Sequence, residues 1–198
     1  MSWTPRGIIT ALLTPFHEDG ALDLDTLRTR IAWQLDRGIH GLLVGGVSGE
    51  YVNLSPEERR QVVRTAVEAV AGQVPVIAGI LEPNTRQAVA AAKDFEALGV
   101  QALLLLTPYH NLPTPAGVLN HFLTVHDATA LPILLYNNPG RTGIDMDLAL
   151  QAELAGLPRV IGVKECRRDL AIVSEQIRRA RPGFAVLSGE DDLALATF

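Results

Sequence analysis

At 198 residues the chain has material for one sizeable core and reads as one domain, residues 1–198. It is 47% hydrophobic and 20% charged, with a net charge of −5, so it lacks the basic footprint of a nucleic-acid binder. No apolar run approaches membrane-spanning length, and Met1 to Phe16 has no basic start and is broken by Pro5 and Pro15, unlike a signal peptide. The single cysteine, Cys166, excludes an internal disulfide and suggests a reducing, cytoplasmic setting.

In chain order, Gly7 to Leu13 reads as a first strand. Asp23 is placed to cap a helix whose apolar positions Leu24, Leu27, Ile31 and Leu35 recur at helical spacing, with Gly38 as its stop. Gly41 to Val44 is a second strand, followed by Gly45-Gly46-Val47-Ser48-Gly49-Glu50. Ser55, Pro56 and Glu58 form a capping box with proline at the first helical position, and Val62, Val63, Ala66, Val67 and Val70 form the buried stripe. Val76 to Ile80 is a third strand, and Thr85 opens a helix that stops at Gly99. Ala102 to Leu106 is a fourth strand, ending in Thr107-Pro108-Tyr109-His110-Asn111. A helix runs from Thr114-Pro115 to about Ala128. Ile133 to Tyr136 is a fifth strand, ending in Asn137-Asn138-Pro139-Gly140-Arg141-Thr142-Gly143. A helix from about Asp145 to Ala155 precedes a sixth strand, Val160 to Glu165. Asp169 to Ala180 is helical, Phe184 to Leu187 is a seventh strand, and a last helix begins near Asp192.

Regular strand–helix alternation implies a parallel sheet. A doubly wound sheet would need a glycine-rich phosphate turn after an early strand. A (β/α)8 TIM barrel would carry polar residues at the ends of several strands, as here. The barrel is therefore the expected fold. Such barrels run to about 250 residues, so an eighth strand and its helix, and any C-terminal helical extension, are expected to be missing after Phe198. The first and seventh strands would then be open edges.

The strand ends hold the candidate chemistry. Lys164 ends a strand of the fully buried type, where it either snorkels to water or sits desolvated with its ammonium disfavoured. The Gly45–Glu50 segment is a tight turn or an anion cradle, whose amides and Ser48 hydroxyl would face a ligand. It is neither a phosphate P-loop nor a nucleophile elbow. Tyr136 is a core tyrosine or a proton carrier beside Lys164. Arg141 is a surface charge or a carboxylate clamp. Tyr109 and His110 end the fourth strand, where the histidine is structural or solvent-facing or the pair serves as a proton relay. The histidines are not spaced as metal ligands, and Asp191 and Asp192 make a weak metal site and a better helix cap, so no cofactor is expected.

In order, Gly46-Val47-Ser48-Gly49-Glu50, Thr107-Pro108-Tyr109, Tyr136-Asn137-Asn138-Pro139 with Arg141-Thr142-Gly143, Lys164-Glu165 and Ser188-Gly189 resemble the dihydrodipicolinate synthase / N-acetylneuraminate lyase family. That resemblance implies a pyruvate-dependent class I aldolase on a (β/α)8 barrel, assembled as a homotetramer or dimer. It implies Lys164 as the Schiff-base residue and Tyr136 as its proton carrier. Val47 and Ser48 would hold the carboxylate of a 2-oxo acid, and Arg141 that of a second substrate, such as an aldehyde. Gly189, Asp191 and Asp192 would lie where the lyase branch binds substrate hydroxyls. The synthase pattern has two threonines where this chain has Val47-Ser48, and a relay tyrosine where it has His110. Those departures favour another lyase of the family, an aldolase or dehydratase, with the lysine-pathway synthase as the alternative. Another alternative is a shortened barrel that binds without turnover.

Overall fold

The computed structural model describes residues 3–197. Seven strands form one parallel sheet in sequence order: β1 (Ile9–Ala11), β2 (Gly41–Val44), β3 (Val76–Ile80), β4 (Ala102–Leu106), β5 (Ile133–Asn137), β6 (Val160–Glu165) and β7 (Ala185–Ser188). Each strand pairs with the next. This is the arrangement of the first seven strands of a (β/α)8 barrel, and among the described residues β1 and β7 are its edges. The expected fold class is the one observed.

The inner strands are continuous apolar runs because both of their faces are covered. Every residue of β2, β3 and β4 is buried. Helices α1 (Leu24–Leu35), α2 (Pro56–Val70), α3 (Thr85–Ala97) and α4 (Pro115–Ala128) cover the outside. Their starts follow the sequence signals. Asp23 accepts from the Thr26 amide, Ser55 and Glu58 close the capping box, and Thr114 accepts from Gly117. On α2, Val62, Val63, Ala66 and Val70 are buried, while Val67 is only half-buried. The helix ends in two left-handed residues, Ala71 and Gly72.

The second half departs from expectation in two places. Asn138 to Gly143 is more than a loop: Pro139–Thr142 form a one-turn helix, α5, closed by Gly143 at φ +71°. The next helix, α6 (Leu148–Ala155), starts later than Asp145. Asp147 is its cap, accepting from the Leu150 amide, which frees the Asp145 carboxylate for Arg167 and Asn137. Helix α7 (Leu170–Arg179) is capped by Asp169. A 3-10 turn at Asp191–Leu193 leads into α8 (Ala194–Thr197).

Candidate active site

Strand pleating decides which side chains face the barrel interior, since alternate residues point to opposite faces. Ile9, Leu43, Ile77, Leu104, Leu134 and Lys164 line one cavity of about 550 Å³, together with Leu187 and Asp191. The floor is aliphatic. Lys164 stands above it, and its Cα pairs with that of Tyr136 across β5 and β6. The Lys164 Nζ lies 4.7 Å from the centroid of the Tyr136 ring. The expected meeting of these two residues is therefore what the structure shows.

Burial is the main influence on both groups. It holds the Lys164 ammonium below its ordinary value, against the opposing pull of Cys166, Asp191 and Glu190. It pushes the Tyr136 phenol up to about 12. The Tyr136 oxygen accepts from Asn138 Nδ2 at 3.0 Å, and the nearby Cys166 thiol adds to the rise. The Arg141 charge opposes the rise and favours the phenolate.

The glycine turn closes the top of β2. Its bonds run from Gly49 N to Gly46 O, Glu50 N to Val47 O and Tyr51 N to Gly46 O. Those bonds use neither the Val47 nor the Ser48 amide. Gly79 on β3 is required here, because a Cβ on it would run into the Gly45 carbonyl. Thr14, past the end of β1, donates to Gly49 O at 2.7 Å and ties the turn to the first strand. Val47 and Ser48 are exposed at the rim, and so is Arg141 on α5.

Other expected residues sit apart. The Tyr109 hydroxyl donates to Leu81 O at 3.0 Å, and its charged neighbours are Glu82 and Arg59. His110 is exposed, with φ +72°. Among the described residues no hydrogen bond links either one to Tyr136. Asp192 faces outward, where Arg168 and the Leu193 amide hold its carboxylate. Asp191 lines the cavity, and Gly189 lies against Cys166 and Lys164.

Sequence reasoning passed over the other face of β6. Glu165 Oε1 accepts from Asn137 Nδ2 at 2.9 Å and from the Arg167 amide at 2.9 Å. Its Oε2 accepts from Gln151 on α6 and Gln176 on α7. Arg167 also binds Asp145 and the Met146 carbonyl. The signal was present: Asn137 and Glu165 are polar residues at the ends of strands that are otherwise apolar.

The model of the dihydrodipicolinate synthetase family matches residues 4–198. The chain belongs to that family. It is 44% identical over 189 residues to the 4-hydroxy-tetrahydrodipicolinate synthase of Roseobacter denitrificans, and 45% over 190 residues to that of Cereibacter sphaeroides. Each alignment covers 96% of this chain and 65% of the relative, so the chain spans just under two thirds of their length. The crystal structure of the Acinetobacter baumannii dihydrodipicolinate synthase complexed with pyruvate superposes with a TM-score of 0.94 at 34% identity. That match covers 96% of this chain and 66% of the other. Among the described residues no helix is long and apolar enough to cross a membrane.

Proposed function

We propose that this family member carries the Schiff-base site of a class I aldolase, and that its reaction is that of 4-hydroxy-tetrahydrodipicolinate synthase. The departures at Val47 and His110 point toward another aldolase or dehydratase. The names of the relatives favour the synthase over that reading. The observation that carries the chemistry is a lysine at the top of an aliphatic cavity with a tyrosine ring 4.7 Å from its nitrogen.

An ordinary lysine near pKa 10.4 offers only about a few parts in ten thousand of free amine at neutral pH. Burial of Lys164 raises that fraction. The free Nζ attacks the ketone carbon of pyruvate, the ligand named for the Acinetobacter neighbour. Proton transfer within the adduct gives a carbinolamine. Tyr136 then protonates its hydroxyl, water leaves, and an iminium and a tyrosinate remain. The tyrosinate removes a methyl proton to give the enamine nucleophile, which restores the phenol. The amides of Val47 and Ser48, with the Ser48 hydroxyl, hold the pyruvate carboxylate, and Arg141 takes that of a second substrate. Asp191 faces the substrate. Asp192 is left to Arg168, and Tyr109 and His110 would serve the relay only through a neighbouring subunit.

Borohydride reduction in the presence of pyruvate tests this reading. A reduced pyruvate adduct on the Lys164 peptide is expected. Folded protein without that adduct refutes the reading and favours a barrel that binds without turnover. We infer further that residues 1–198 form one domain and that the protein works in the cytoplasm as a homo-oligomer. A solution mass of one chain would overturn the last of these.

A further inference from the structure

Two residues beyond Lys164 on the same face of the β6 strand line is Cys166. The alternation that turns Glu165 and Arg167 toward the helices turns Gly162, Lys164 and Cys166 inward. The position is fixed by backbone bonds on both sides. Cys166 N donates to Asn137 O at 2.9 Å, and Gly189 N donates to Glu165 O at 2.8 Å. A Cβ on Gly189 would meet both the Cys166 sulfur and, at 3.0 Å, Lys164 Cε. Thiol, amine stem and glycine thus share one small space, with the Tyr136 ring across it.

The phenol needs a partner there. Asn138 donates to its oxygen, so the phenol proton must find an acceptor elsewhere. Val47, on the glycine turn, has no hydroxyl to offer. Cys166 borders the same space and each group acts on the other's titration, and a thiol sulfur can accept from the phenol or donate to it. Burial pushes the thiol up to about 11, so at neutral pH it keeps its proton and can turn to donate.

We propose that Cys166 is a positioning residue for the Schiff-base chemistry: it accepts the Tyr136 hydroxyl before proton transfer and donates to the tyrosinate afterwards. No bond to sulfur forms or breaks, and the thiol proton stays on sulfur throughout. The inference rests on the Schiff-base reading of Lys164 and Tyr136. It adds that the site's proton carrier is tuned from β6 rather than from the glycine turn.

The test uses the whole chain and pyruvate alone. Each return of the enamine to the iminium in D2O places a deuteron on the pyruvate methyl group, so exchange reports the Tyr136 step without a second substrate. In C166A the adduct trapped on Lys164 at saturating pyruvate is expected to stay at its wild-type level, while methyl exchange slows about tenfold. In C166S, whose hydroxyl both donates and accepts, exchange is expected to return to within about threefold of wild type. A folded C166A that exchanges within about twofold of wild type overturns the proposal. If C166A does not fold, C166S decides: a loss there as large as about tenfold overturns it, and near-wild-type exchange supports it. Absence of the adduct from the wild type itself would refute the Schiff-base reading and this inference with it. Failure confined to the variants would refute the role of Cys166 alone.

Discussion

On the outer face of β6, the Glu165 carboxylate is surrounded by donors from β5, α6, α7 and the segment that follows its own strand. On the inner face, one residue earlier, Lys164 joins none of the ion pairs of the described residues and stands beside a ring and a cavity. Both are charged residues at the end of a buried strand. One is neutralised and hydrogen-bonded, as a buried charge must be to persist. The other is left with little compensation, and its ammonium is disfavoured. The satisfied face ties the strand end that carries Lys164 to β5, α6 and α7.

Removing the inner charge should have the largest effect on activity and little cost in stability. On the Schiff-base reading, Lys164→Met should abolish adduct formation with pyruvate. It also relieves the desolvation of an ammonium, so the unfolding free energy measured in urea should hold steady or rise, by about 1 kcal/mol. A variant that still traps pyruvate would place the chemistry on another residue.

The outer charge should behave in the opposite way. Glu165→Ala leaves the side-chain amides of Asn137, Gln151 and Gln176 and the Arg167 backbone N–H without the carboxylate they share. Breaking a buried charge network from one side costs about 3–5 kcal/mol. Urea unfolding measures it, and a loss near zero would mean that water replaces the carboxylate. Any folded fraction should also trap pyruvate slowly, because Lys164 is the neighbouring residue on the strand.

Gly189→Ala presses on the inner face alone. The new Cβ would overlap the Cys166 sulfur and crowd Lys164 Cε. Overpacking of this kind costs about 1–3 kcal/mol, and adduct formation should slow by about tenfold. Pairing it with Cys166→Ala frees the space, so the double variant should recover stability that the two single losses would not predict. Simple additivity would show that the two residues are not in contact.

The asymmetry between the faces also explains what the sequence disclosed. Strands of continuous Val, Ile and Leu, Ser55-Pro56 with Glu58, and Thr114-Pro115 are local signals, and the elements began where they pointed. Lys164 and Tyr136 were legible because each is the polar end of an apolar run, and parallel neighbours bring such ends together. Glu165 was hidden because its partners come from residues 137, 151, 167 and 176, a set that only the packing of α6 and α7 assembles. Asp145 misled for the same reason. It reads as a helix start, but the Arg167 side chain from the next β/α unit claims its carboxylate. Cys166 reads as compartment chemistry until the pleat turns it toward Tyr136.

The finest comparison is between the adjacent aspartates. Asp191 lines the cavity, and its negative charge helps to keep the Lys164 proton in place. Asp192 faces Arg168 outside it. On the proposed Schiff-base reading only the free amine attacks pyruvate, so trapping should rise with pH as the ammonium is lost. Asp191→Asn removes a charge that stabilises the ammonium, so that rise should move to lower pH, by less than about one pH unit. Stability should move with it. A lysine lowered in the folded state and ordinary in the unfolded one makes the unfolded chain bind more protons between the two values. Stability from this group therefore falls as pH drops from about 10.4 through that window. Asp191→Asn lowers the folded value further, so the variant should lose stability at neutral pH and match the wild type above the ordinary lysine value. Asp192→Asn should leave the trapping profile in place, since its carboxylate answers to Arg168. Equal shifts in the two variants would mean that Lys164 senses the net charge of the loop rather than one carboxylate inside its cavity.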